Sequence, residues 1–254
     1  MFAYRAIYII VLREFKRFFR QRGRFVVSLV RPLIWLFIVG SGFTKLIDVS
    51  AGAHYIQFIL PGIVGMTLLF SSMFSTMSVV WDREFGFLRE MLVSPVSRVT
   101  IVLGKLMSGT ALAVFQGTIL LFIAPVVGLD VGVVDFLIMI LLMTLVAFSI
   151  TSLGLLVASL LTSLEGFNVI MNFLVLPMFF LSGALYPIEA LPASIRIFSF
   201  INPLSYGVDA FKHVLLPGQG RLSSELPLLL DIVFVGVFAL VMTISTAFIF
   251  ERRK

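Results

Sequence analysis

Six long apolar segments constrain the fold of this chain more than any other feature of its sequence. A segment of about 20 apolar residues can cross the hydrocarbon core of a bilayer. Spanning segments must pair their backbone polar groups internally, and continuous apolar runs without alternation indicate helices rather than barrel strands. The sequence therefore predicts an all-α polytopic membrane protein with six transmembrane helices in a single domain, residues 1–254. The predicted spans are residues 26–46, 56–80, 101–128, 133–161, 168–188 and 229–250.

The composition agrees with a membrane protein rather than a soluble domain. Hydrophobic residues make up 60% of the chain and charged residues only 13%, whereas a typical soluble domain is about half apolar and about a quarter charged. The first apolar segment is too long for a secretory signal peptide and lacks a small-residue cleavage site, so we expect it to remain in the mature protein. The chain has no cysteine, which excludes disulfides and thiol chemistry.

The distribution of Lys and Arg predicts the orientation of the spans. If the N-terminus is cytoplasmic, fifteen of the nineteen basic residues lie on the cytoplasmic side. Because positive charge is retained inside, both termini and the loop 81–98 are predicted to be cytoplasmic. The net charge of +6 thus reflects membrane topology, and nucleic-acid binding is not expected. The four basic residues predicted on the opposite side are Lys45, Arg196, Lys212 and Arg221.

Residues 3–24 are predicted to form an amphipathic helix that lies in the membrane interface. At 100° per residue, basic residues fall on one face and aromatic and aliphatic residues on the other. Such a helix turns its basic face toward the anionic head groups of the cytoplasmic leaflet. The alternative is a basic leader that only orients the first span. The basic face consists of Arg13, Lys16, Arg17 and Arg20.

The stretch WDREFGFLREMLVSPVSR, residues 81–98, places a mixed-charge helix between two apolar spans. Its apolar positions form one helical stripe, and its other faces carry charges of both signs. Mixed charge suits a protein partner better than an anionic lipid surface. We therefore predict a docking helix over residues 82–94, ended by Ser94-Pro95, and the alternative is a solvated turn. The docking residues are Trp81, Asp82, Arg83, Glu84, Phe85, Leu88, Arg89, Glu90 and Leu92.

No motif in the sequence supplies energy or catalysis within this chain. A phosphate-binding loop requires G-x-x-x-x-G-K-[ST], but the only Gly-Lys pair, Gly104-Lys105, is followed by Leu106. The only histidines, His54 and His213, are far apart in sequence, and no nucleophile or metal-ligand motif appears. Acidic residues fall in loops or at span ends, unlike the relays of ion-driven carriers. We therefore expect no enzyme activity, cofactor or metal in this chain, and we infer that a separate subunit supplies the energy.

Polar residues within the spans leave two interpretations open. They line a transport path, or they bond to helix carbonyls and neighbouring helices, as small polar groups in membrane helices commonly do. They are Ser71, Ser72, Ser75, Thr76, Gln116, Thr144, Ser149, Thr151, Ser152, Asn168 and Asn172.

Three blocks of sequence carry a family likeness. The first is the basic amphipathic leader, and the second is FILPGIVGMTLLF, residues 58–70, with the Ser-rich span and REFGFLREMLVSPVSR that follow it. The third is LSGALYPIEALPASIRIFSFINPLSYGVDAFKHVLL, residues 181–216. Together they resemble a type-2 (ABC-2) permease, the membrane subunit of an ATP-binding-cassette exporter. The likeness covers nearly the whole chain and is most similar to the branch of drug, glycolipid and nodulation-type exporters.

The resemblance implies an assembly in a bacterial cytoplasmic membrane. Two permease protomers, as a homodimer, would pair with a dimer of ATPase subunits that bind ATP and Mg²⁺. The docking helix would be the coupling helix that sits in a cleft of the ATPase, with a second contact at Glu165 in TSLEGF, residues 162–167. Residues 188–212 would dip into the membrane as short helices on the extracytoplasmic side, and a surface loop is the alternative.

The function implied is export of an amphipathic or hydrophobic substrate such as a drug, lipid or glycolipid. The sequence does not identify the cargo. A channel or scaffold that works without ATP is the alternative function, although no ring of pore-facing charges is visible. Four phenylalanines are candidates for an apolar path between protomers, namely Phe70, Phe74, Phe173 and Phe180.

Overall fold

The computed structural model describes residues 2–44, 55–86, 97–217 and 224–252, and all regular secondary structure in these ranges is helical. The prediction of an all-α protein is confirmed. A π-helical segment, Trp35–Val39, joins α2 to α3, and 3₁₀ turns occur at Ala124–Val127 and Ile188–Ala190. The α-helices are α1 (Phe2–Arg20), α2 (Arg22–Ile34), α3 (Gly40–Thr44), α4 (Tyr55–Glu84), α5 (Arg98–Leu121), α6 (Val133–Leu160), α7 (Leu164–Phe180), α8 (Ala193–Ser199), α9 (Pro203–Leu215) and α10 (Leu228–Arg252).

Within the described residues, five helical segments are long and apolar enough to cross a membrane. The fifth predicted span, residues 168–188, has different bounds in the structure, because α7 begins at Leu164 and ends at Phe180. Ser163 caps its start by accepting a hydrogen bond from the Gly166 amide, and a turn with Gly183 at φ +73° follows its end. At 1.5 Å per residue, the 17 residues of α7 span about 26 Å. The five segments are Phe25–Gly42, Tyr55–Glu84, Arg98–Val127, Val133–Leu160 and Leu228–Glu251.

Other predicted boundaries also shift by a few residues. The predicted interfacial helix 3–24 ends at Arg20, since Gln21 leaves the helical conformation and α2 begins at Arg22. The predicted second span, 56–80, continues as α4 to Glu84. Ser97 caps α5, which therefore starts at Arg98 rather than at 101. Residues 188–212 contain short helices as predicted, and the last of these, α9, continues to Leu215.

Helix α4 forms the centre of the bundle. Of its span, 78% is buried, compared with 17% for the first and for the last span. It contacts α5, α6, α7 and α9, while α10 packs against α6 and α1 packs against α5. Close packing depends on small residues, because a Cβ at Gly109 would collide with the Ser75 hydroxyl, and one at Gly154 would lie 2.9 Å from Thr76 Oγ1. Glycine at these two positions therefore allows the helices to approach closely.

Side-chain contacts define the two ends of the bundle. Arg98 of α5 donates hydrogen bonds to the carbonyl oxygens of Phe250 and Glu251 near the end of α10. Helix α1 contacts the same end, which we call the terminal end because both the first and the last helix reach it. At the opposite end, which we call the far end, Tyr55 Oη donates to the Leu185 carbonyl at 2.7 Å.

Candidate functional site

A cavity of about 470 Å³ lies between α1, α2, α4 and α5 and extends from the middle of α4 to the terminal end. Its wall on α4 carries the aromatic rings of Phe70, Phe74 and Trp81. Its size lies within the range of small-molecule sites, which are mostly apolar with a few placed polar groups.

The polar part of the lining comes from arginine and amide side chains. The Arg31 guanidinium lies 5.2 Å from the centroid of the Phe70 ring, and Arg17 lies 5.3 Å from that of Trp81. Gln116 Nε2 donates to Ser71 Oγ at 2.5 Å. The cavity therefore offers cations stacked on aromatic rings at one part of its wall and an amide at another, and this lining suits an amphipathic molecule.

The four phenylalanines that were predicted to line an apolar path lie in two different places. Phe70 and Phe74 line the cavity and stack with a centroid distance of 6.1 Å. Phe173 and Phe180 do not line it, and the Phe173 side chain is 83% exposed. Both lie on α7, which reaches the cavity through Asn168. Five residues further along a helix is a rotation of about 140°, so Phe173 faces away from the cavity.

The polar residues of the predicted spans also differ in where their side chains lie. Those that line the cavity are Ser71, Ser75, Gln116 and Asn168. Several others bond to carbonyls of their own helix, as in Thr151 Oγ1 to Ala147 O at 2.7 Å and Thr144 Oγ1 to Ile140 O at 2.7 Å. Bonding to helix carbonyls is therefore observed, also for the cavity-lining Ser75 and Gln116, and a transport path along these residues stays a prediction.

A buried cluster of charges joins three helices next to the cavity. We call Arg13, Glu14, Asp82 and Lys105 the charge cluster. Lys105 Nζ of α5 donates to Glu14 Oε1 at 2.7 Å, to Asp82 Oδ2 at 2.6 Å and to Ser78 Oγ at 3.0 Å. Arg13 Nη2 donates to Glu14 and to Asp82, at 3.0 and 2.8 Å. The cluster thus ties α1 to α4 and α5 at the terminal end.

Electrostatics keep the α1 members of this cluster charged. Burial alone would raise the pKa of Glu14, but Lys105 and Arg13 outweigh it, so the pKa of Glu14 lies below its usual value. Burial alone would lower the pKa of Arg13, but Asp82 and Glu14 outweigh it, so the pKa of Arg13 is raised. Buried charges need such partners, because removing one leaves another without compensation.

We expect acid to weaken the attachment of α1. Since the pKa of Glu14 is lower in the folded protein than its ordinary value of 4.5, its contribution to stability is complete above pH 4.5 and is lost as the pH falls through the folded pKa. Thermal melts of the wild type and of Glu14→Gln between pH 7 and pH 3 measure this contribution. The stability difference between the two should shrink below about pH 4.5, and a constant difference would contradict the assignment.

The structure divides the predicted docking residues. Asp82 is buried in the charge cluster, and Arg83 donates to the carbonyl oxygens of Ser159 and Leu161, so these two side chains hold the bundle together. Glu84 is exposed and accepts a hydrogen bond from the Leu164 amide at 3.3 Å.

The prediction of a continuous docking helix over residues 82–94 is wrong at its start. Helix α4 runs on to Glu84, and Gly86 with φ +79° follows it in a turn. Trp81 and Phe85 are exposed at this end, and the Phe85 side chain is 68% exposed. The predicted docking residues Leu88, Arg89, Glu90 and Leu92 lie outside the described residues.

The predicted basic face of α1 is also divided. Lys16 and Arg20 are exposed, whereas Arg13 points into the charge cluster and Arg17 stacks on Trp81. The expectation that all four basic residues face lipid head groups is therefore wrong. The reason is Glu14, a carboxylate buried on the same side of the helix. Glu165, the predicted second contact, is exposed in the first turn of α7.

Sequence reasoning missed Glu14, Lys105 and Arg31 as site residues. The sequence does hold a signal for Glu14, which is the single acidic residue in the α1 stretch FAYRAIYIIVLREFKRFFR. Lys105 lies inside α5, about two turns after that helix begins. The pairing of these residues comes from three helices and was not visible in any local pattern.

Long apolar helices around a cavity of mixed polarity are the features of a polytopic membrane protein. The profile of the ABC-2 type transporter family matches residues 5–216, which is most of the chain. The chain therefore belongs to the ABC-2 type transporter family and is a membrane transport permease, as the sequence resemblance predicted.

Relatives with similar sequences carry transport names. The transport permease ycf38 of Cyanophora paradoxa is 28% identical over 228 residues, covering 87% of this chain and 77% of the relative. Nodulation protein J of Rhizobium meliloti (strain 1021) is 29% identical over 191 residues, covering 74% and 72%. The inner membrane transport permease YadH of Escherichia coli (strain K12) is 28% identical over 210 residues, covering 79% of each chain.

Proposed function

We propose that this chain is the transmembrane subunit of an ATP-driven exporter that moves an amphipathic or hydrophobic substrate across a bacterial cytoplasmic membrane. The observation that carries the proposal is that one helix, α4, holds both the cavity wall and the exposed aromatic residues at its end. Phe70 and Phe74 line the cavity, Trp81 lines it near the terminal end, and Phe85 follows in the turn beyond. A partner that binds at Phe85 thereby acts on the cavity wall.

The charge cluster would transmit a displacement of α4, caused by the partner, to α1 and α5. Because Lys105 bonds to carboxylates of both α1 and α4, the terminal ends of α1, α4 and α5 form one connected unit. A partner ATPase dimer, which would hold ATP and Mg²⁺, would displace this unit as it closes around nucleotide. The terminal end would face the cytoplasm, in agreement with the concentration of basic residues there.

The cavity lining favours a substrate with an apolar body and a polar or anionic head. Aromatic rings bind the apolar part, and Arg17 and Arg31 can pair with a phosphate, carboxylate or sugar group. Drugs, lipids and glycolipids all contain molecules of this kind. The exposed apolar surfaces of the first and last spans, of which only 17% is buried, would face lipid and a second permease protomer.

Replacing Phe85 by alanine tests the docking of the ATPase. We expect Phe85→Ala to weaken binding of the cognate ATP-binding subunit by about 2 kcal/mol, or about thirtyfold, because exposed aromatic anchors dominate interface energies. Binding is measured with the purified permease in nanodiscs. Phe122→Ala is the matched control, since Phe122 is 67% exposed at the far end.

Equal binding by Phe85→Ala and the control would disprove docking at this turn. A permease that moves substrate in vesicles without any ATPase would instead support the alternative, a channel or scaffold that works without ATP.

A further inference from the structure

Three residues with metal-ligating side chains meet at the far end of the bundle. Asp209 and His213 lie one turn apart on α9, and Asp231 lies in the first turn of α10. Their ligand atoms all lie within 4.8 Å of one another. Because residues at i and i+4 share one face of a helix, α9 presents both of its ligands toward Asp231. We call these three residues the far-end triad.

Asp231 is the member of the triad that requires an explanation. Its side chain is 0% exposed, and neither carboxylate oxygen has a hydrogen-bond partner. His213 Nε2 lies 3.8 Å from Asp231 Oδ2, beyond hydrogen-bond distance. Buried polar groups are almost always paired, and a buried carboxylate without a donor is costly. The position therefore requires a positive charge or a proton at the carboxylate.

The other two members are held in place by neighbouring groups. The oxygens of Asp209 accept hydrogen bonds from the backbone amides of Glu225 and Leu226, at 2.8 and 2.9 Å. His213 Nδ1 lies 3.0 Å from Ser224 Oγ. Contacts of this kind orient the ligands in metal sites and tune their affinity. A buried cation nearby, Lys212, lies over the Phe58 ring, 4.7 Å from its centroid.

We propose that Asp209, His213 and Asp231 bind a divalent transition-metal ion, with Zn²⁺ as the best match. Two carboxylates and one imidazole are ligands that Zn²⁺ accepts, whereas Ca²⁺ and Mg²⁺ prefer oxygen alone. Zinc-ligand bonds of 2.0–2.2 Å place tetrahedral ligands about 3.3–3.6 Å apart. The ligand atoms of the triad lie within 4.8 Å of one another, so the longest separation needs to contract by up to about 1.5 Å to reach this geometry. The ion would join α9 to α10 at the far end, and this inference does not depend on the proposed transport function.

Binding of the metal ion through Nε2 would break one hydrogen bond of His213. Nε2 lies 2.6 Å from the Leu226 carbonyl oxygen, so this nitrogen carries a proton in that arrangement. Coordination through Nε2 requires the tautomer of the neutral imidazole whose proton is on Nδ1, where it donates to Ser224 Oγ, so no net proton is released. The Leu226 carbonyl oxygen is then free to serve as a fourth ligand. The His213 side chain is 26% exposed, which provides a route for the ion from the far end.

Metal titration of the purified full-length chain tests the proposal. The protein in detergent micelles is stripped with a chelator and titrated with Zn²⁺ against a fluorescent competitor, and Co²⁺ absorption reports the geometry. We expect one Zn²⁺ per chain, a rise of the melting temperature by several degrees, and a loss of affinity of more than about 100-fold in His213→Gln and Asp231→Asn. That loss exceeds the range of about 10–100-fold for residues that only support ligands. Asp135→Asn, which changes a carboxylate in the first turn of α6, should bind as the wild type does.

Two results would overturn the proposal. Equal Zn²⁺ affinity in the wild type, His213→Gln and Asp231→Asn would place the ion elsewhere. No Zn²⁺ binding by the wild type at micromolar concentration would show that a proton neutralises Asp231, and Asp231→Asn should then melt at or above the wild-type temperature. Asp231→Asn keeps the shape of the side chain, so its melting temperature remains informative even if His213→Gln fails to fold.

Discussion

Replacing Lys105 by methionine should lower the free energy of unfolding by about 3–5 kcal/mol, the range measured when one partner of a buried ion pair is removed. Lys105 is 5% exposed and donates to both Glu14 and Asp82. Methionine keeps most of the length but not the charge, which leaves two buried carboxylates with Arg13 as their remaining cation. Denaturant unfolding in micelles, followed by tryptophan fluorescence, measures the change.

A matched lysine and a double variant make this prediction specific. Lys16→Met removes an exposed lysine of α1 and should change stability by less than about 0.5 kcal/mol. Lys105→Met combined with Asp82→Asn leaves Arg13 and Glu14 as a neutral pair. The double variant should therefore be more stable than the sum of the two single effects predicts. If Lys105→Met were as stable as Lys16→Met, the cluster would not hold α1 to the bundle.

Filling the cavity should abolish export while leaving ATPase docking intact. Ser71 lies on the cavity wall beside Gln116, so Ser71→Trp places an indole ring in the space that we assign to substrate. We expect ATP-dependent efflux to fall to about a tenth or less of the wild-type rate, equivalent to at least about 1.4 kcal/mol. Efflux of a fluorescent amphipathic dye or lipid that the wild-type complex exports from proteoliposomes provides the measurement.

Leu240→Trp is the control for added bulk, because Leu240 is 62% exposed on α10 and does not line the cavity. Ser71→Leu gives a smaller obstruction if the tryptophan variant does not fold. Full efflux by a folded Ser71 variant would show that substrate does not occupy this cavity.

The helical membrane fold was predictable because length and apolarity alone decide it. The ends of the helices were less predictable, since local caps set them. Ser97 starts α5 before the apolar run begins, and Ser163 starts α7 at Leu164. A span predicted from apolar residues alone stops where polar residues begin, even when the helix continues through them. The predicted second span therefore ends at residue 80, whereas α4 continues to Glu84.

The candidate site was only partly predictable because it is built from helices that are distant in sequence. The charges of residues 81–90 look equivalent on a helical wheel, yet Asp82 pairs with Lys105 and Arg13 while Glu84 stays at the surface. In the same way, Phe70 and Phe173 have identical side chains in similar apolar spans. Which of them meets a cavity depends on the rotation of α4 and α7 against their neighbours, and no local pattern reports it.

The short length of α7 has a consequence for the surrounding lipid. An apolar helix of about 26 Å is shorter than a hydrocarbon layer of about 30 Å, and such hydrophobic mismatch is relieved by local thinning of the bilayer or by other protein segments that complete the thickness. The brief helices α8 and α9, which follow α7 at the far end, are placed to do the latter. The bilayer beside α7 would therefore keep its ordinary thickness, because protein rather than lipid deformation makes up the missing length.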